Sequence, residues 1–177
     1  VGYQAHMQSY GWQSTVYDDA VGGVTGRSKR LESLKISLPD VEGTTGYTGG
    51  ISYQTFVQGI GWQDWKSDGQ LAGTTGQGKR IEALRVKLTG DVANYYNVYY
   101  SLHLANIGWT DYVCGSDNAI AGSTDLSKRI EAVKIKLVKS GESIPSTSGI
   151  TYVQGYKYND FYYTGQVQGK GTTGNVA

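Results

Sequence analysis

The sequence predicts an all-β protein made of three related units that close around a common centre, and two observations carry that prediction. The first is composition. The chain has 26 Gly and fifteen Tyr but only two Pro, which favours many short strands joined by tight turns. The second is self-similarity, since the surroundings of Trp12, Trp62 and Trp109 can be laid over one another. One unit alone exposes its apolar face, so we expect the three units to bury theirs together.

Net charge and hydropathy argue against several classes of partner. Sixteen basic and fifteen acidic residues leave a formal charge of +1, so we expect no nucleic-acid partner. No run of about 18 apolar residues occurs, so we expect no membrane insertion. The single cysteine, Cys114, cannot form an internal disulfide, and the fold must depend on its core. Because the sequence starts at Val1 without Met or leader, we expect a mature or excised fragment.

Three repeats, at about residues 1–40, 51–90 and 98–138, make up a predicted domain of residues 1–140. Four kinds of residue recur at nearly constant spacing from the tryptophan. They are a preceding Gly (Gly11, Gly61, Gly108), a Tyr nine residues earlier (Tyr3, Tyr53, Tyr100), a ring six residues earlier (His6, Phe56, His103) and a later Arg-x-Glu (Arg30 and Glu32, Arg80 and Glu82, Arg129 and Glu131). Residues 141–177 differ, and we predict a Tyr-rich hairpin and a flexible C-terminal tail there.

Within each repeat, the pattern predicts two longer strands that flank one short hairpin. In the second copy the first strand alternates, so that Tyr53 and Gln54 lie on opposite faces. The last strand also alternates, which places Glu82 on the same face as Leu84. Type I′ hairpin turns are predicted at Asp68-Gly69 and, from weaker signals, at Asp18-Asp19 and Asp117-Asn118.

Closing three such units on one another would also remove exposed sheet edges. Two pseudo-threefold architectures fit the pattern. In a β-trefoil, six long strands form a barrel that three hairpins cap, whereas in a β-prism three four-stranded sheets face inward. The short hairpin between longer strands favours the β-trefoil, with the β-prism as the alternative.

Three sets of side chains are candidates for ligand binding. They are the repeated tryptophans (Trp12, Trp62, Trp109), a variable aromatic position (Trp65, Tyr112) and the turn carboxylates (Asp18, Asp68, Asp117). An indole can stack on a sugar ring, although a repeated Trp is also suited to act as a wedge in a core. The variable aromatic position suits a surface contact better than a shared core. Carboxylates accept hydrogen bonds from sugar hydroxyls, although Asp also stabilises turns by itself.

No pattern in the sequence indicates catalysis or a cofactor. The three Arg-x-Glu pairs are equivalent, whereas glycoside hydrolysis needs two acids in unlike environments across one cleft. We interpret these pairs as structural links that meet near the common centre or bridge neighbouring repeats. Phe56 stands where the other copies have His6 and His103, which excludes a symmetric metal site of three histidines. The sequence therefore predicts a protein that is not an enzyme and holds no metal.

The segments Gly11 to Leu38, Gly61 to Leu88 and Gly108 to Leu137, with phrases such as GWQDW and KRIEALRVKL, closely resemble the clostridial hydrophobic repeat with an invariant tryptophan, the ChW repeat. The resemblance covers residues 1–138. It implies a secreted or cell-wall-associated protein of a Gram-positive bacterium and brings no catalytic residue with it. The function it implies is that of an adhesin module recognising carbohydrate on cell surfaces, mucin or polysaccharide. The alternative is a structural or protein–protein docking module in a bacterial surface assembly.

Overall fold

The structure is a computed structural model that describes residues 1–39, 46–124 and 127–145, and the backbone of two strands at 152–158 and 161–164. The described residues form strands and one short 3₁₀ helix, η1 (Asp91–Asn94), with no α-helix among them. The all-β prediction is therefore confirmed. Across the part of the chain described here, no helix has the length and apolar character needed to cross a membrane.

Each repeat contains five strands, a long one at either end and three of two residues between them. The long first strands are β1 (Gly2–Met7), β6 (Gly50–Val57) and β11 (Tyr96–Leu104). The long last strands are β5 (Leu31–Ser37), β10 (Ile81–Thr89) and β15 (Ile130–Lys139). The short strands are β2 (Gly11–Trp12), β3 (Val16–Tyr17), β4 (Gly22–Gly23), β7 (Gly61–Trp62), β8 (Lys66–Ser67), β9 (Ala72–Gly73), β12 (Gly108–Trp109), β13 (Val113–Cys114) and β14 (Ala121–Gly122).

The three sheets are antiparallel and follow one plan. In each, the first strand pairs along its length with the last strand of its own repeat, for example Tyr53 opposite Val86. The first two short strands fold back onto the free edge of that first strand, as β7 and β8 do on β6. The first strand therefore lies in the middle of its sheet, between the last strand and the two short ones.

The third short strand of each repeat leaves its own sheet and pairs with the last strand of another repeat. Strand β9 pairs with β5, β14 with β10, and β4 with β15, so the donations run in a cycle through all three repeats. The predicted local hairpin is therefore wrong, since its two arms diverge after the turn. The physical reason is that the last strand has a free edge, which only a segment from another repeat is placed to cover.

The turn between the diverging arms differs in the third copy. Both central residues have positive φ in the first two copies, at Asp18-Asp19 (38° and 69°) and Asp68-Gly69 (46° and 88°), as a type I′ turn requires. Neither Asp117 nor Asn118 has a positive φ, so the turn prediction is wrong for the third copy. There the turn is wider, since six residues separate β13 from β14, against four between the corresponding strands of the other copies. The Gly115 amide, which donates to the Val98 carbonyl at 2.8 Å, takes the place of the Asp18 and Asp68 amides.

One hydrophobic core is shared by all three repeats, and it includes Leu34, Leu84 and Val133 from the three last strands. Those last strands contact one another pairwise. Burial alternates along the first strands as predicted, with Tyr53 buried and Gln54 half-buried. Among the described residues no long strand pairs with a long strand of another repeat, so they form no closed barrel.

A β-bulge in each last strand corrects the predicted position of its glutamate. In β10 the register slips between Ile81 and Ala83, which leaves Glu82 as the extra residue. The Glu82 carboxylate pairs with Arg80, whereas Ile81 and Leu84 join the core. The prediction that Glu82 shares a face with Leu84 is therefore wrong, because strict alternation breaks at a bulge.

Beyond the repeats, the backbone forms strands β16 (Tyr152–Tyr158) and β17 (Phe161–Thr164), which pair antiparallel. Sequence analysis predicts two Tyr-rich strands at residues 150–158 and 161–168, of which residues 150, 151 and 165–168 lie outside the described residues. The tail that was expected to be flexible, residues 169–177, lies outside the described residues.

One buried tyrosine in each repeat links the first strand to the segment that leads into the third short strand. The Tyr3, Tyr53 and Tyr100 rings are almost fully buried, and their hydroxyls donate to the carbonyls of Ala20, Gln70 and Ala119. Burial, which disfavours the phenolate, raises the pKa of Tyr3 to about 12 and also raises the pKa values of Tyr53 and Tyr100.

These shifts predict loss of stability at alkaline pH. A buried Tyr keeps its proton in the folded chain at a pH where the unfolded chain has released it. Its contribution to stability is therefore complete below about pH 10 and is lost as the pH rises through about 12. We expect the thermal midpoint to fall steeply above pH 10, and absorbance at 295 nm to show a late tyrosinate step that disappears in denaturant. Tyr17→Phe, at an exposed ring, should leave both unchanged. Titration of all tyrosines in one early step would contradict the assignment.

Candidate functional site

The three repeated tryptophans lie outside the core, at one equivalent position of each sheet. Each is paired across strands with the ring residue that precedes it: Trp12 with His6, Trp62 with Phe56, and Trp109 with His103. The ring centroids are 5.2, 5.5 and 5.2 Å apart and the planes cross at 76°, 74° and 79°. These edge-to-face contacts hold each indole while leaving it partly exposed. These tryptophans therefore do not act as wedges in the core.

A cation from the last strand lies over each indole. Lys35 Nζ is 4.4 Å from the Trp12 ring centroid, the Arg85 guanidinium carbon is 4.2 Å from that of Trp62, and Lys134 Nζ is 4.5 Å from that of Trp109. Cation–π attraction therefore adds to the ring contact in all three copies. The surroundings of the three tryptophans are thus closely alike.

The indole of Trp62 borders an open depression of about 470 Å³, lined by Trp62, Gln63, Asp64, Lys66, Leu71 and Gly73. The Gln63 amide oxygen accepts from the Thr55 hydroxyl at 3.1 Å and from the Gly73 amide at 2.9 Å, so that side chain is held in place. Asp64 and Lys66 bring opposite charges to the rim. The other copies have Val16 and Val113 at the position of Lys66, so the polar side chains beside the three indoles differ.

Below the tryptophans, each buried glutamate bonds the arginine two residues before it. The Arg Nε to Glu Oε2 distances are 2.9 Å for Arg30–Glu32, 2.6 Å for Arg80–Glu82 and 3.2 Å for Arg129–Glu131. In the first and third copies a histidine Nδ1 also lies near the other carboxylate oxygen, at 3.3 Å for His6 and 3.1 Å for His103. The side chains pair within a repeat rather than across repeats.

The glutamate backbone, by contrast, links neighbouring repeats. Its carbonyl accepts an amide proton from the donated segment: from Thr74 to Glu32 at 2.9 Å, from Ser123 to Glu82 at 3.1 Å, and from Val24 to Glu131 at 3.1 Å. The interpretation that the Arg–Glu side-chain pairs meet near the common centre or bridge neighbouring repeats is therefore wrong, since each pair forms within one repeat. The link between repeats is made by the glutamate backbone at the bulge.

The variable aromatic position lies at junctions between repeats. Lys87 Nζ is 4.3 Å from the Trp65 ring centroid, and the same nitrogen is 2.6 Å from Asp117 Oδ1 of the third repeat. In the third repeat the Tyr112 hydroxyl donates to Asp19 of the first. Burial and the nearby Asp19 carboxylate raise the pKa of Tyr112.

The other two turn carboxylates are engaged at strand beginnings. Asp68 Oδ1 accepts the Ile51 amide proton at 3.0 Å, and Asp18 Oδ1 accepts from the Val1 ammonium group at 2.7 Å. The Lys87 ammonium group thus links Asp117 to Trp65, whereas Asp18 and Asp68 bond main-chain nitrogens of their own repeats. These bonds agree with a turn-forming role, and ligand binding by Asp18 and Asp68 stays a prediction.

A scan against family models gives a match to the clostridial hydrophobic W family, ChW, at residues 6–40, 56–90 and 103–139. These three segments make up more than half of the chain. The chain belongs to the ChW family. No curated protein and no solved structure matches it.

Each ChW match begins at the ring residue that packs on the tryptophan and ends in or just after the last strand. A match therefore contains the whole indole site: the ring, the Trp, the cation above it and the Arg–Glu pair. Every match leaves out the beginning of the first strand, and none contains helix η1.

Sequence analysis missed the cations over the indoles and the charged pair Asp64 and Lys66. The cations did carry a signal, since Lys35 and Arg85 each follow their tryptophan by the same interval. A constant interval does not show contact, because stacking depends on the register between the last strand and its sheet. No repeated pattern marks Asp64 and Lys66.

Proposed function

We propose that this ChW chain is a non-catalytic, extracellular binding module that recognises carbohydrate on cell surfaces, mucin or polysaccharide. The observation that carries the proposal is the equivalent placement of three partly exposed indoles, each held by a ring and a cation. Rigid, half-exposed aromatic side chains offer a surface on which the C–H bonds of a sugar ring stack. The depression beside Trp62 adds an amide, a carboxylate and an ammonium group for the hydroxyls.

Three similar positions on one molecule also fit a repetitive ligand. A shallow site with one indole binds weakly, but several sites on one chain gain avidity on a multivalent surface. Copies 1 and 3 have valine where the second copy has Lys66. In this proposal the indole site of the second repeat therefore binds the ligand most tightly.

A non-catalytic function is proposed because the buried acids are already engaged. Glu32, Glu82 and Glu131 are each bonded to an arginine, so none is placed as a free acid or base beside an indole. Secretion and attachment to a bacterial wall belong to the same proposal, and they rest on the ChW membership alone.

The cyclic strand exchange supports a pseudo-threefold closed arrangement as the finer architecture. The pairing favours the β-prism over the β-trefoil. In a trefoil barrel, long strands of adjacent repeats pair, whereas here each long strand pairs with the long strand of its own repeat.

A protein–protein docking module is the second candidate, and two observations favour it. The cation over each indole already occupies part of its surface, and the apolar side chains of Tyr10 and Ile60 are exposed at equivalent turns. In that case a surface protein, not a glycan, would be retained from culture supernatant.

Trp62→Ala is expected to weaken glycan binding at least about tenfold, because it removes the stacking surface of the strongest site. The measurement is a glycan array that includes mucin and Gram-positive wall polysaccharide, followed by calorimetry on the hits. Trp62→Phe should retain part of the affinity, and Tyr17→Ala all of it. An array without hits, or hits that survive Ala at Trp12, Trp62 and Trp109 together, would overturn the proposal.

A further inference from the structure

A second cleft lies where the second and third repeats meet, away from the three indole positions. It has a volume of about 260 Å³ and lies between the end of β10, the beginning of β11 and the wide turn of the third copy. Its polar lining consists of Lys87, Tyr96, Asn97, Ser116 and Asp117. This volume is below the usual range for drug-sized ligands and suits one small ring.

The cleft comes from two departures from the repeat pattern. First, the turn of the third copy is wider. Second, Asp117 pairs with Lys87, whereas Asp68 in the second copy bonds the amide at the beginning of a long strand. Helix η1, which no repeat contains, supplies Ala93 at the rim. The described residues contain no equivalent of this helix in another repeat. The cleft is therefore a property of this chain and not of the ChW pattern.

The charges in the cleft are already balanced against each other. Lys87 Nζ lies 2.6 Å from Asp117 Oδ1, and the ring of Trp65 holds the same ammonium group from another side. An anionic ligand would meet the Asp117 carboxylate, and a cationic one would meet the Lys87 ammonium group. A neutral ligand with several hydroxyl groups can bond both without disturbing the pair.

Neutral groups complete the lining. Tyr96 offers an aromatic ring whose position is set by the edge contact with Tyr47, at 6.2 Å between centroids. The Asn97 amide supplies both donors and an acceptor, and no hydrogen bond within the described residues engages it. A ring surface, an amide, a carboxylate and an ammonium group in one small cleft match the C–H face and vicinal hydroxyls of a sugar.

We propose that the cleft between the second and third repeats binds one neutral sugar residue through Tyr96, Asn97, Lys87 and Asp117. This inference rests on the proposed carbohydrate function and adds to it one site and one ligand class. Such a site would set which glycan the chain selects, while the three indoles supply avidity.

The test is a titration of ¹⁵N-labelled full chain with galactose, glucose, mannose, N-acetylglucosamine and glucuronate. At least one neutral sugar is expected to shift the amides of residues 87, 96–98 and 115–117, and glucuronate is expected to shift none of them. Asn97→Ala and Ala93→Met, which remove the amide and narrow the cleft, should each weaken that binding at least about tenfold. Asn118→Ala, on the same turn but outside the lining, should bind normally.

The possible results separate this inference from the proposed function. If glycans bind and depend on Trp62, but the cleft variants bind normally, the cleft inference fails and the carbohydrate function stands. Preference for glucuronate would also overturn it. Absence of binding to every glycan and every sugar would overturn both. Unchanged thermal midpoints of Asn97→Ala and Ala93→Met would show that lost binding does not come from unfolding.

Discussion

Gly73→Ala is expected to lower the free energy of unfolding by at least about 3 kcal/mol. Gly73 is the donated residue that lies against the bulge of the first repeat, with φ of 95°. A Cβ there would stand 2.4 Å from the Glu32 carbonyl oxygen and 2.9 Å from the Ser33 Cα, both of them backbone atoms. The backbone cannot move away without breaking the pairing of β9 with β5.

Urea unfolding measures this effect, and Gly76→Ala provides the matched control. Gly76 has φ of 73° but nothing within 4 Å of its would-be Cβ, so it isolates the conformational cost of about 1–2 kcal/mol. The equivalent Gly122→Ala should behave like Gly73→Ala, since its Cβ would stand 2.4 Å from the Glu82 carbonyl oxygen. Equal losses for Gly73→Ala and Gly76→Ala would show that the strand exchange is not tightly packed.

Arg80→Met is expected to cost about 3 kcal/mol, because it leaves the Glu82 carboxylate buried without its ion-pair partner. Glu82 is 5% exposed, and the Arg80 Nε is 2.6 Å from its Oε2. Phe56 stands where the other copies have a histidine, so the ring nitrogen that lies near Glu32 and Glu131 is missing beside Glu82.

Arg30→Met is the matched variant, with an expected loss of about 1 kcal/mol. Glu32 is buried to a similar degree, but His6 Nδ1 lies 3.3 Å from its other oxygen and can donate a proton after Arg30 is removed. Denaturant midpoints of the two variants at neutral pH compare them directly. A loss in Arg30→Met as large as that in Arg80→Met would show that the histidine does not support the glutamate.

Much of the local structure was predictable from the sequence, because it depends on side-chain period and composition. Alternation placed Tyr53 inside and Gln54 outside, and the positive φ values of Asp68 and Gly69 follow from residue types that tolerate them. The bulge at Glu82 was not predictable in this way. An inserted residue leaves the composition unchanged and shows only when two strands are compared in register.

The candidate site was predictable only in its residues, not in its arrangement. The repeats singled out Trp12, Trp62 and Trp109, but their positions outside the core, each beneath a cation, depend on contacts between strands about twenty residues apart. The sequence predicted Asp19 only as a turn residue, and its bond to Tyr112 was found only in the structure, since it joins residues 93 positions apart in the chain.

The sequence by itself determined that the chain is all-β, that it carries three ChW repeats, and which side chains recur at each position. Period-two alternation and internal similarity are properties of the chain written in one dimension. Only the tertiary structure decided that each repeat gives its third short strand to another, and that a cleft opens where the second and third repeats meet. The strand exchange and the cleft both depend on which sheet edge remains unpaired after each repeat has folded. An unpaired edge forms hydrogen bonds with whichever segment lies beside it in space, and the sequence does not show which segment that is.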